Sequence, residues 1–330
     1  MNESSNNIKL ACGFAHRLLQ AMRRAKLPAL FALALLAGQA QAITLVSNFG
    51  SNPGNLTMYK YIPANLPANA PLVMATHGCT MSAAAYDTEP GIIKYADLWK
   101  FAVVWAEQKP ANQVSRCFNW WLTGDSTRGQ GEALSAKQMI DKMKADHSID
   151  ASRVFITGLS AGAAFTTMML ATYPDVFSAG APIAGVSSKC DLACSQGLIV
   201  KTPQQWGDMV RTAGPAGYTG PYPRVSIWHG SADATVNPGY VTEIMKQWTN
   251  VHGIDQTADL TDTISDQAHN VYKDAGGVSK VETVMVAGMG HGTPIGPGSA
   301  TQQCGTAASY ILNVGLCSHY HIFKWFGLGQ

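Results

Sequence analysis

Short apolar runs recur along the chain with amphipathic stretches between them. Residues 72–76, 101–106, 154–157, 179–184, 225–229 and 281–287 are apolar, mostly β-branched or small, and too short for core helices. Residues 131–147, 163–172 and 241–252 carry helix-like patterns between some of these runs. Strands alternating with helices predict an α/β fold, with a mostly parallel sheet covered on both faces. Residues 44–46 and 58–62 read as an antiparallel start. Two stretches break the rhythm. Residues 190–222, rich in Pro and Gly and carrying Trp206, are expected to form a cap or loop over the site. Residues 255–280, polar with scattered Asp and Thr, are expected as a surface excursion or a short hairpin. The aromatic stretch 320–326 reads as a final helix. No repeat or low-complexity tract interrupts the pattern, so residues 43–330 are expected to form one domain.

The N-terminal pattern is different. Arg17, Arg23, Arg24 and Lys26 precede the apolar run 27–37, and Gln39-Ala40-Gln41-Ala42 places small residues at the −3 and −1 positions of a cleavage site. This reads as a secretory signal peptide over residues 1–42, with Met22 opening a shorter version of it; its apolar core is too short to span a membrane. The mature chain is therefore expected outside the cytoplasm, extracellular or periplasmic. Of seven cysteines, Cys12 falls in the leader. The other six, Cys79, Cys117, Cys190, Cys194, Cys304 and Cys317, are an even number in an exported chain, which favours disulfides. Sequence alone permits about fifteen pairings. Short loops favour Cys190–Cys194 and Cys304–Cys317, which leaves Cys79–Cys117. No Cys-x-x-Cys or paired-His spacing points to a metal. With 13% charged residues, a net charge of +2 and no basic stripe, nucleic acid is not an expected partner. A neutral or polymeric substrate fits this surface better than a polyanion. No membrane association is expected, and the chain is read as a monomer.

The strongest chemical signal is Gly158-Leu159-Ser160-Ala161-Gly162, where a strand runs into a Gly-x-Ser-x-Gly turn and a helix. This is the layout of a nucleophile elbow, which lifts a serine hydroxyl to the end of the sheet. A serine needs a base, and the base needs an orienting carboxylate. On such a fold the chain order is Ser, acid, His, with each partner in a loop after a strand. Asp233, in His229-Gly230-Ser231-Ala232-Asp233, and His291, in Gly288-Met289-Gly290-His291, meet those demands. Asp255, Asp259, Asp262 and Asp266 have no strand before them. His319 and His321 fall in the terminal helix, and His252 at a helix C-terminus. The oxyanion needs two amides: Ala161 N–H, following the nucleophile, and Cys79 N–H, in the loop Thr76-His77-Gly78-Cys79. Trp120 and Trp121 are candidate walls of the substrate site, with core packing as the competing role.

Together, His77-Gly78-Cys79-Thr80, Arg116-Cys117-Phe118-Asn119-Trp120-Trp121, the elbow, the Asp233 turn and the His291 loop resemble the esterase / poly(3-hydroxybutyrate) depolymerase family of α/β-hydrolases. Secreted feruloyl and acetylxylan esterases are related to it. The likeness covers about residues 55–326. It implies an α/β-hydrolase fold, Ser160 as nucleophile, Asp233 as orienting acid, His291 as base, Cys79 and Ala161 amides as oxyanion hole, a Cys79–Cys117 bridge and no cofactor. The segment from Gly292-Thr293-Pro294 to Gln303-Cys304-Gly305 resembles the polyhydroxyalkanoate branch; feruloyl relatives tend to carry a tryptophan soon after the histidine. The chain shows no linker to a polymer-binding module, which points to amorphous polymer or soluble oligomers. The alternative readings are an esterase acting on feruloyl or acetyl groups of plant cell-wall polysaccharide, and a non-catalytic binding protein using Trp120 and Trp121 as its contact surface.

Overall fold

Ten strands join in one twisted sheet that carries all six apolar runs. The computed structural model describes residues 43–330; the expected signal peptide, with Cys12 and Met22, lies outside them. The strands are β1 (Thr44–Val46), β2 (Thr57–Tyr61), β3 (Ala70–Thr76), β4 (Ala102–Glu107), β5 (Ile149–Leu159), β6 (Ala179–Ile183), β7 (Arg224–Gly230), β8 (Leu260–Ile264), β9 (Gln267–Lys273) and β10 (Ser279–Val286). Their spatial order is β1-β2-β4-β3-β5-β6-β7-β10-β9-β8. The centre, from β4 to β10, is parallel, and both edges are antiparallel. A parallel pair, β11 (Thr293–Ile295) and β12 (Ile311–Asn313), stands apart from this sheet.

The described residues also form α-helices α1 (Ile92–Trp99), α2 (Thr123–Ser126), α3 (Gly131–Asp146), α4 (Ala161–Thr172), α5 (Pro203–Ala213), α6 (Tyr240–His252) and α7 (Ser318–Trp325), and a 3-10 turn at Leu192–Ser195. Successive strand residues point to opposite faces. Leu72 and Met74 of β3 enter the core beneath α3 to α6, while Val73 and Ala75 enter the core beneath α1 and α7. All residues of β3 and β6 are buried. Two-sided burial is why these strands read as continuous apolar runs rather than alternating ones. The fold is an α/β-hydrolase sheet. Among the described residues, no helix is long and apolar enough to cross a membrane.

The structure departs from the sequence reading in three places. Strand β5 starts at Ile149, earlier than the apolar run at 154, because Asp150, Ser152 and Arg153 are polar and partly exposed and carry no apolar signal. Helix α1 escaped notice although Ile92, Tyr95 and Ala96 are buried at helical spacing. Residues 190–222 form no cap over the serine; within them α5 packs on α6, with Trp206 fully buried and its Nε1–H donating to Glu243 Oε2 at 2.7 Å. The signal was a capping box: Thr202 Oγ1 accepts from Gln205 N, Gln205 Oε1 accepts from Thr202 N, and Pro203 opens the helix. Residues 255–280 do contain the short hairpin expected there, β8–β9, which adds two strands to the sheet edge. Ser265 and Asp266 make its turn at φ 46° and 64°, the left-handed geometry of a two-residue hairpin.

Candidate active site

The carboxyl ends of β3, β5, β7 and β10 converge on one small cavity. At the end of β5, Ser160 adopts φ 57° and ψ −119°. A non-glycine residue in that region carries roughly 1–3 kcal/mol of strain. The turn is held by Ser160 N–H donating to Ile183 O at 3.0 Å and by the start of α4, where Ala164 N–H donates to Ser160 O at 2.9 Å. Both flanking glycines are sterically required. A Cβ on Gly158 would strike Thr76 Oγ1, and one on Gly162 would lie 2.6 Å from His77 O. Thr76 Oγ1 donates a 2.9 Å bond to Gly162 O, tying β3 to the first turn of α4. Ala161 N–H, first in that helix, has no intrahelical acceptor and sits at the positive end of the helix dipole.

The loops after β7 and β10 are zipped together by their main chains. Ser231 N–H donates to Val286 O and Ala232 N–H to Met289 O, each at 2.9 Å. A Cβ on Gly230 would lie 2.6 Å from Gly290 O, so the two loops approach only because that residue is glycine. This brings Asp233 Oδ2 within 2.7 Å of His291 Nδ1. The same oxygen lies 3.1 Å from His229 Nε2, and Oδ1 accepts from Thr235 N at 2.8 Å and Val236 N at 2.9 Å. Burial opposes ionisation of Asp233, but the bonds from His229, His291 and the Val236 amide outweigh it and hold its carboxyl well below the usual carboxylate range.

Ser160 and His291 line the same cavity, of about 140 Å3, together with Met81, Leu159, Thr235 and Tyr310. Among the described residues, the Ser160 hydroxyl makes no hydrogen bond to His291. Such bonds often form only once substrate is bound. The opposite wall is the turn Gly78-Cys79-Thr80-Met81, closed by Met81 N–H donating to Gly78 O. Cys79 is bonded to Cys117, and the other pairs are Cys190–Cys194 and Cys304–Cys317. Among the described residues, no group of three or more His, Cys, Asp or Glu is arranged to hold a metal ion.

Trp120 and Trp121 do not line this cavity. Trp120 is buried in the core with its ring edge-on to Trp121, which packs against the same core. The aromatic wall is Tyr310, whose ring meets that of His291 edge-on at 6.0 Å between centroids. Sequence reasoning missed Tyr310, which sits in a connection before the short strand β12. It also gave no role to His229, although the spacing His229-x-x-x-Asp233 was in view.

Residues 56–265 match the family described as Esterase PHB depolymerase. The chain is 54% identical over 302 residues to poly(3-hydroxyalkanoate) depolymerase C of Paucimonas lemoignei, an alignment covering 90% of this chain and 72% of that protein. It is 38% identical over 266 residues to an acetylxylan esterase of Coprinopsis cinerea, covering 77% of this chain and 70% of that one. Identity to feruloyl esterase B of Neurospora crassa is 36% over 278 residues, covering 80% and 92%. Among solved structures it is similar to the acetyl xylan esterase from Aspergillus awamori, with a TM-score of 0.73 and 27% identity over 87% of this chain and 99% of that one. The identity to the depolymerase exceeds that to either group of polysaccharide esterases. With its elbow, its parallel sheet and these relatives, the chain belongs to the esterase PHB depolymerase family, esterases built on the α/β-hydrolase fold.

Proposed function

We propose that Ser160, Asp233 and His291 are the catalytic triad of an exported esterase that hydrolyses short-chain polyhydroxyalkanoate esters, as polymer or oligomer. The observation that carries the reading is the His291–Asp233 bond beside a cavity walled by both His291 and Ser160. Asp233 fixes the proton on His291 Nδ1 and leaves Nε2 free to accept. Ser160 Oγ attacks the ester carbonyl as His291 takes its proton. The oxyanion is held by Cys79 and Ala161 N–H. His291 then protonates the leaving alkoxide, and a water deprotonated by His291 releases the acyl group as a hydroxy acid. No cofactor takes part in these steps.

Cavity size supports the substrate class. An apolar cavity of about 150 Å3 takes a benzene molecule, and a 3-hydroxybutyrate unit has about as many heavy atoms. A feruloyl group has roughly twice as many, so part of it would extend beyond the cavity. The identity to a poly(3-hydroxyalkanoate) depolymerase points the same way. Three disulfides fit an oxidising compartment outside the cytoplasm. The test compares amorphous poly(3-hydroxybutyrate), methyl ferulate and acetylated xylan as substrates, with Ser160→Ala as control. Soluble hydroxy acid should appear from the polyester alone. Preference for ferulate or xylan would overturn the substrate class. Full activity of Ser160→Ala, or failure of a fluorophosphonate to label Ser160, would overturn the mechanism.

A further inference from the structure

Glu132 is out of place for a surface helix. It stands in the first turn of α3, where a carboxylate suits the helix dipole, yet it is only 1% exposed. Its hydrogen-bond donors are neutral. Gln108 Nε2–H donates to Oε1, and Asn119 N–H donates to Oε2 at 2.8 Å. Burial pushes its carboxyl up to about 8. A polar group kept inside at that cost needs a reason, and its two partners lead toward one peptide.

The first arm runs through Gln108, itself 1% exposed. Its backbone N–H donates to His77 Nε2 at 3.1 Å. An imidazole nitrogen that accepts carries no proton, so the proton of His77 is on Nδ1. That N–H donates to Gly78 O at 2.7 Å. His77 is fully buried, and burial pushes it down to about 4, so the ring stays neutral with its tautomer fixed. The second arm runs from Asn119 to Cys117, whose carbonyl also accepts from Gln108 Nε2 at 3.2 Å, and through the disulfide to Cys79. One arm thus holds the carbonyl and the other the Cα of the single peptide Gly78–Cys79. In a trans peptide the N–H points opposite to the C=O. Fixing Gly78 O on the His77 side aims Cys79 N–H away from it, on the side where Gly78 and Cys79 border the cavity. The turn needs such support. Thr80, β-branched, sits at φ 65°, and Arg116 beside the other half of the disulfide at φ 53°. Those are conformations that side chains of this kind avoid.

We propose that Glu132, Gln108 and His77 form a buried positioning chain that sets the direction of the Cys79 amide and thereby speeds the chemical step without touching the substrate. The proposal rests on the reading of Cys79 as an oxyanion donor. It is tested with Glu132→Gln, His77→Asn and His77→Gln. Asparagine keeps a donor near the place of Nδ1; glutamine keeps only a group near that of Nε2. Each variant is assayed with p-nitrophenyl butyrate and with butylboronic acid, which forms a tetrahedral adduct on the serine. Glu132→Gln should lower kcat roughly tenfold, a fraction of the loss caused by deleting an oxyanion donor. KM should stay within about twofold, and the boronate Ki should weaken by the same factor as kcat. His77→Asn should keep at least about ten times the kcat of His77→Gln. If Glu132→Gln does not fold, the pair at His77 decides alone. A merely structural cluster would lower Tm and leave kcat and boronate Ki unchanged, or would make both His77 variants equally slow; either result overturns the proposal. Ser160→Ala stays inactive in both cases, so the triad reading survives that failure.

Discussion

Asp233→Asn isolates the proposed orienting acid. Four donors reach the two carboxylate oxygens: Thr235 N and Val236 N on Oδ1, His291 Nδ1 and His229 Nε2 on Oδ2. Asparagine has one oxygen for these two pairs. Turned toward His291, its amide would face two backbone N–H groups on a side chain with no exposure, leaving both unsatisfied at about 1–3 kcal/mol each. The oxygen therefore stays on the amides of Thr235 and Val236, and the NH2 faces the rings. His229 can follow by moving its proton to Nδ1, which has no partner among the described residues, at the expense of its 3.0 Å bond to Val236 O. His291 must then accept at Nδ1 and carry its proton on Nε2, where it can no longer take the proton of Ser160. The wrong tautomer of a triad histidine lowers kcat by roughly 10⁴, or about 5.5 kcal/mol of barrier. KM should change less than about threefold, because no group facing the ester is lost. The assay is p-nitrophenyl butyrate hydrolysis by protein of unchanged circular dichroism, with the rate of fluorophosphonate labelling falling in parallel. A kcat within about tenfold of the native value would refute the assignment of Asp233.

Gly162→Ala places a Cβ 2.6 Å from His77 O and against Thr76 O, both rigid backbone. About 1–3 kcal/mol of overpacking corresponds to a Tm lower by about 2–12 °C in calorimetry, and an unchanged Tm would show that the elbow is looser than described. Tyr310→Ala removes the aromatic wall of the cavity. With about two of octanoate's extra methylenes sheltered at about 0.8 kcal/mol each, the kcat/KM ratio of p-nitrophenyl octanoate to butyrate should rise roughly tenfold; a constant ratio would mean that Tyr310 does not limit acyl length. In urea titrations, stability should fall as pH drops from about 6.5 to about 4. Burial pushes His77, His252 and His321 down to about 4, so in that window the unfolded chain binds protons that the folded chain refuses. Glu132 has the opposite sign: raised to about 8, it holds a proton in the folded state that the unfolded chain has already released, so stability falls as pH rises toward 8. Glu132→Gln should flatten that alkaline slope and, because its window overlaps that of the histidines between about 4.5 and 6.5, steepen the acid slope; an unchanged alkaline slope would mean that Glu132 does not titrate as described.

What the sequence made legible follows from how local each feature is. The Ser160 elbow is a contiguous strand-turn-helix, and its two glycines answer to contacts within the same turn and the adjoining strand. The loops of Asp233 and His291 could be found because each follows an apolar strand and the chain order is fixed by topology. Tyr310 reaches the cavity only through β12, a strand of three residues with no periodicity to detect. The pair Trp120-Trp121 gave residue type without direction, and it faces the core. Nothing in the sequence marks Glu132, an acidic residue near a helix start; its burial depends on Gln108 and Asn119, brought to it by the fold.

The two sides of the proposed oxyanion site share one physical design. Ser160 at φ 57° and Thr80 at φ 65° are both non-glycine residues in the left-handed region, one next to each expected amide donor. Glycine would remove the strain at either place, but it would also free the backbone to turn the amide away. A donor that must reorient during the reaction gives up part of its advantage, because the catalytic gain lies in dipoles already aimed before charge develops. The strain is tolerable only because the surroundings over-determine it. Thr76 and Ile183 hold the serine side, and Ser115, whose carbonyl accepts from Thr80 N at 2.6 Å, joins the disulfide and His77 on the other. Loosening any one of these holds should therefore act first on the chemical step and only second on substrate binding, which is the reverse of what removing a wall of the cavity should do.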